Sequence, residues 1–194
     1  MKIIVLAGFV YFAADAFLNR AIRHPPGILV TEEPKQKDLP SSVPAILFKG
    51  DPLQPLAEYS LKARVLSKER YRLDWGAKYA PWDLAVGWKD MSDSRILDRL
   101  EISQMGRWYF INWRNSPLAT DEILKNSSNV HVIPADESVK NTLDKVRVGH
   151  IVRMSGYLVR VDARDGGEWR SSVSRDDRFS GACEIMYVRS IELL

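Results

Sequence analysis

VGHIVRMSGYLVRVDARDGGEWRSSVS (residues 148–174) is the stretch on which the fold turns. Val148 to Val161 reads as one long strand whose inward positions change from Val152 and Met154 to Tyr157, Val159 and Val161. The change falls across Ser155-Gly156, where a bulge or barrel corner is expected. Asp165-Gly166-Gly167 then supplies the permissive residues of a hairpin turn. A return strand follows from Glu168 to Ser174, with Trp169, Ser171 and Val173 on one face, and Glu184 to Leu193 gives a closing strand. A bent long strand, a hairpin and a closing strand predict an α+β domain built on a small, mostly antiparallel, partly open β-barrel of OB-like type. Architecture of this kind fixes no activity.

Upstream, Glu58 to Leu66 alternates Tyr59, Leu61, Ala63 and Val65 with Ser60, Lys62 and Arg64, the pattern of a half-buried strand. Pro81 suits the first position of a short helix through Leu84 and Val86, and Ser92 or Asp93 can cap a second through Ile96, Leu97 and Leu100. Met105 to Trp113 carries apolar side chains on both faces, which predicts a central strand. A helical piece at Asp121–Lys125 leads to the strand Val130–Ile133, ended by Pro134. Asp136 then caps a helix with Val139, Leu143 and Val146 on one face. No internal repeat and no low-complexity tract is present.

The N-terminus sets the address of the chain. Ile3 to Leu18 is apolar except for Asp15 and runs sixteen residues, against the about 20 needed to span a ~30 Å hydrocarbon core. Residues 1–23 are therefore expected to form a hydrophobic helix, either a single-pass membrane anchor with Arg20 and Arg23 at the headgroups or a signal segment cut at Ala14-Asp15-Ala16. The anchor reading is preferred, with the domain on the extracytoplasmic side of a bacterial inner membrane, or secreted after cleavage. Residues 24–56 hold Pro25, Pro26, Pro34, Pro40, Pro44, Pro52 and Pro55, and read as an extended proline-rich tether or an arm wrapped on the domain. Residues 57–194 then form a single α+β domain.

Composition excludes several classes. The 28 basic residues face 25 acidic ones, and no run of five like charges occurs, so no nucleic-acid partner is expected. One cysteine, Cys183, excludes an internal disulfide framework and a cysteine-only metal site. Histidines 24, 131 and 150 lie too far apart in sequence for a zinc signature, so no metal and no cofactor are called for.

Candidate chemistry rests on few residues. Cys183 with His131 or His150 could make a thiol nucleophile and base, the requirement of a thiol-dependent hydrolase; against it stand a buried hydrophobic cysteine and a structural histidine. Gln104, Arg107 and Trp108 in ISQMGRWYF form a polar-aromatic cluster, against which stands a core tryptophan; residues 169–177, with Arg175 and Asp176, gather hydroxyls and charges able to grip an anion or a sugar, against which stands a solvated strand end, and Glu184 is a further binding candidate. Asn126-Ser127-Ser128 matches a glycosylation sequon, which matters only in a secreted eukaryotic context.

HPPGILV (24–30), DLAVGWKDMSD (83–93), ISQMGRWYF (102–110), NVHVIPAD (129–136) and WRSSVSRDDRFSGACE (169–184) together resemble a family of small proteobacterial membrane-anchored envelope proteins with no known activity. The family pattern carries glycine where this chain has Lys89, and a glycine-containing turn near Arg178 and Phe179. The resemblance implies an N-terminal hydrophobic segment and one envelope domain, and brings no cofactor, partner or functional residue. The expectation is thus a membrane-anchored envelope protein with a non-enzymatic binding or assembly role, engaging a protein or cell-wall partner. The alternatives are a hydrolase using Cys183 and a cytoplasm-facing accessory of a membrane complex.

Overall fold

The computed structural model describes residues 20–174 and 183–194. The expected hydrophobic helix, apart from its last residues, and the candidates Arg175 and Asp176 lie outside that range. Among the described residues no helix is long and apolar enough to cross a membrane.

The fold is α+β, mostly strands in one large sheet with few helices. Its spine is β3 (Asp51–Arg70), a twenty-residue strand that carries neighbours on both sides. Before it come β1 (Lys35–Asp38) and β2 (Ile46–Phe48), both antiparallel to β3. After it come β4 (Trp82–Gly87) and β7 (Ser127–Pro134). The remaining strands are β8 (Ile151–Asp162), β9 (Glu168–Arg170) and β10 (Glu184–Leu193). The order is β1-β3-β4-β7-β10-β8-β9, with β2 also on β3 and a further pairing of β3 with β8. Leu53 to Arg64 of β3 pair with β8, and Arg64 to Arg70 pair with β4, so the sheet coils back onto its spine. It is not a closed barrel. Only β7 and β10 run parallel.

Two strand assignments differ from expectation. Trp82–Gly87, expected as a helix after Pro81, is β4, buried at every position. Its apolar run is the signature of a strand covered on both faces, and a six-residue run carries no periodicity that separates strand from helix. Met105–Trp113, expected as a central strand, is instead split at Gly106-Arg107. β5 (Glu101–Met105) and β6 (Trp108–Asn112) form a separate two-stranded antiparallel sheet. Ile102, Tyr109 and Ile111 face the core, whereas Met105, Trp108 and Phe110 remain exposed.

The helices are short. α1 (Ser94–Leu97) is capped by Asp93, as expected; α2 (Thr120–Lys125) precedes β7; α3 (Glu137–Lys145) is capped by Asp136, whose carboxylate accepts from Val139 N–H at 2.9 Å. α3 lays Val139 and Leu143 on the main core, which also holds Leu61, Trp82, Leu84, Met154 and Met186.

The closing strands explain the pattern that opened the sequence reading. β8 keeps its parity through Gly156: Val152, Met154 and Leu158 belong to the main core, and Val159 and Val161 to a second core with Leu53, Tyr79, Ile133 and Ile185. Arg153 and Ser155 are exposed on the face that Val159 and Val161 bury further along, so the inward face changes across Gly156, as expected, without an extra residue in β8. The register irregularity opposite Ser155-Gly156 lies in β10, between Val188 and Ser190. A Cβ at Gly156 would meet the Tyr187 carbonyl oxygen at 1.9 Å, so only glycine allows this approach.

Residues 24–50 lie against the domain. Ile22 N–H donates to Val148 O at 2.8 Å, and Val30, fully buried, donates to Ser92 Oγ at 3.0 Å. Gly27 N–H donates to Asp93 Oδ1 at 2.9 Å. The Arg95 guanidinium, joined by the backbone N–H groups of Gly27 and Arg95, holds the Asp93 carboxyl down at about 2. Lys89 adopts a left-handed backbone (φ 48°) and donates its N–H to Val30 O at 2.7 Å.

Candidate functional site

A cleft of about 560 Å³ opens where three segments meet: the 71–81 connection between β3 and β4, the tip of the β5–β6 hairpin, and β9 with Cys183. Each segment delivers a tryptophan: Trp75, Trp108 and Trp169. Trp75 and Trp108 are 41% and 49% exposed, so two indole surfaces stand open to a ligand.

The hairpin turn is what places Arg107. Met105 pairs with Trp108, leaving Gly106 and Arg107 as a two-residue turn with φ of 58° and 72°. Positive φ at both positions is the geometry that matches strand twist, and arginine accepts it here at some cost. The turn is tied down by Arg107 N–H donating to Tyr71 Oη at 2.9 Å and by Asn129 Nδ2 donating to Arg107 O at 3.0 Å. The guanidinium then reaches under the cleft floor. Nη1 donates to Asp83 Oδ1 at 2.7 Å and to Ala80 O at 2.8 Å, and Nη2 donates to Asp74 Oδ1 at 2.7 Å. It lies 3.9 Å over the Tyr71 ring and 5.6 Å from the Trp169 ring.

Asp83, on β4 and fully buried, is the charge that makes this arrangement obligatory. His131, on β7, brings Nδ1 within 2.9 Å of Asp83 Oδ1, off the line of a straight hydrogen bond, and its ring packs on Trp169 with centroids 4.8 Å apart. Trp75 is fixed in turn. Its Nε1 donates to Asp165 Oδ2 at 3.0 Å, and it leans on Trp169 at 6.4 Å in an edge contact. Trp75 and Gly167 touch so closely that a Cβ at 167 would lie 2.5 Å from the indole.

Of the sequence candidates, Arg107, His131 and Cys183 line this cleft. Gln104 sits just behind it, donating from Nε2 to Asn129 Oδ1 at 2.7 Å. Glu184 bonds Ser128 Oγ across the parallel pair. His150 belongs elsewhere, just before β8, where Nδ1 accepts from Arg147 N–H at 2.9 Å. Burial, with the charges of Arg147, Lys68 and His24, holds its pKa below the usual imidazole value. Tyr71, Asp74, Trp75 and Asp83 escaped the sequence reading; Asp83 in the apolar run WDLAVG was the available signal, since a carboxylate there demands a buried partner.

The surroundings of the thiol oppose its ionisation. Burial pushes Cys183 up to about 11, and Asn129 Nδ2 is the group 4.0 Å from Sγ. An activated cysteine needs a cation or imidazole that lowers its pKa, and this environment does the reverse. Among the described residues, no group of three or more His, Cys, Asp or Glu side chains could hold a metal ion.

No protein-family model, curated protein or solved structure matches this chain.

Proposed function

We propose that the protein is a non-enzymatic binding module of the bacterial envelope, held at the membrane by its N-terminal hydrophobic segment and engaging its partner through the aromatic cleft. The observation that carries this reading is the cleft's construction: exposed indoles at the mouth, a charge-neutralised floor beneath, and a thiol kept protonated. These features favour holding a ligand over transforming it.

The finer architecture supports the same reading. The strands β3, β4, β7, β8 and β10 follow the path β3-β4-β7-β10-β8, with β8 also on β3. With one parallel pair and a helix between β7 and β8, this is the plan of an OB-like, partly open barrel. In that plan the cleft occupies the face of the second and third strands, flanked by the first and last connections, where such modules take extended ligands. The docked arm adds a constraint on placement. Ile22, inside the proposed 1–23 anchor segment, donates its N–H to Val148 O, which supports a short reach between bilayer and domain.

The test is photocrosslinking in intact cells with a crosslinking residue placed at Trp108, and at exposed Leu47 or Val173 as controls. Enrichment of one species at position 108 over the controls is the expected result. Equal labelling at all three positions would remove the cleft from the function.

A further inference from the structure

We propose that the ligand of this cleft is a neutral glycan chain, with a pyranose ring seated on the exposed indoles; this rests on the binding-module reading above. The argument is one of matching surfaces. A pyranose presents a flat C–H face and a rim of hydroxyls. The cleft offers the complement: Trp75 and Trp108 as apolar faces, and charged groups around the margin that can accept from or donate to hydroxyls.

Charge separates this ligand from its competitors. The lining carries Asp74 and Glu168 against Arg107 and Arg170, so it is balanced. A single-stranded nucleic acid needs stacking rings beside a positively charged track, and here carboxylates share the aromatic mouth. A cationic ligand would seek carboxylates beneath aromatic rings. That position is already filled by Arg107, which sits over Tyr71 and is bonded to both Asp74 and Asp83. A ligand without net charge, rich in hydroxyls and flat on one side is what the balanced lining leaves.

The geometry suits a chain more than a single ring. The two exposed indoles come from different segments, the 71–81 connection and the hairpin, so each can meet a separate residue of a polymer.

The experiment titrates the full-length protein in detergent with a β-1,4-linked N-acetylglucosamine tetramer, with an oligothymidylate of similar length in parallel, following tryptophan fluorescence. Saturable binding of the tetramer alone is expected, weakened at least tenfold in Trp108→Ala and in Trp75→Ala, with near-ultraviolet circular dichroism confirming that both variants fold. Binding of the oligothymidylate at equal or greater affinity, or no response to the tetramer, overturns the glycan assignment. The two proposals fail separately: enrichment at position 108 in cells without tetramer binding leaves a binding module for another ligand, whereas tetramer binding unaffected by either tryptophan variant moves the glycan site out of the cleft.

Discussion

β4 and β6 are both short strands led by tryptophan, WDLAVG and WYFIN, and they have opposite fates. β4 lies between β3 and β7 and buries every residue. β6 has one partner, β5, and leaves Trp108 and Phe110 exposed. Apolar content therefore did not decide which strand is central. What decided it was the presence of neighbours to satisfy both backbone edges and cover both faces, and those are β3, just before it, and β7, far along the chain. The contrast also explains the site. β4 buries Asp83, and the hairpin tip delivers the Arg107 guanidinium that neutralises it. One element creates an electrostatic demand that the other meets, and Trp108, beside Arg107, is carried into the cleft mouth by the same tie.

The comparison breaks most sharply at Leu84, in the middle of β4 and fully buried in the main core. Leu84→Ala removes buried methyl groups and leaves a cavity, and should destabilise the fold by about 2–5 kcal/mol in urea unfolding. A loss under about 1 kcal/mol would mean that β4 is not central.

Arg107→Ala probes the link between the two strands. It strands the buried Asp83 carboxylate without its cation, a large penalty in a sealed interior. Arg107 is partly reached by solvent, with 16% of its side chain exposed, so the expected loss is about 1–3 kcal/mol. In an Asp83→Asn background the same substitution should cost less, because no charge is left to compensate. A double-mutant cycle reads the difference as a coupling of about 1 kcal/mol or more. Additive losses would show that the hairpin is tied to β4 by something other than this pair.

Much of the fold was legible where local signals were strong. The closing strand 184–193, the Asp93 and Asp136 caps and the hairpin at Asp165–Gly167 are set by residues within a few positions of one another. β4 and the β5–β6 ribbon were not legible, because strand and helix share a short apolar run and the two-residue turn lacks the usual Asn-Gly signature. The same limit governed the site. His131, Arg107 and Cys183 were each visible as reactive types, but Asp83 and Asp74, which give Arg107 its role, come from β4 and the connection before it. His150 looked equivalent to His131 in sequence and lies at the start of β8, bonded to Arg147.

The smallest effect is expected at Phe110, on the outer face of the hairpin. Its ring is 42% exposed and sits opposite Ser103 across the ribbon, so truncation removes little packed surface. Phe110→Ala should change stability by no more than about 0.5–1 kcal/mol, several-fold less than Leu84→Ala by the same unfolding assay. Equal losses at the two positions would show that something covers this face and would dissolve the contrast between buried strand and projecting ribbon. A near-neutral result sharpens it: the outer face of the ribbon then contributes almost nothing to folding, in contrast to β4.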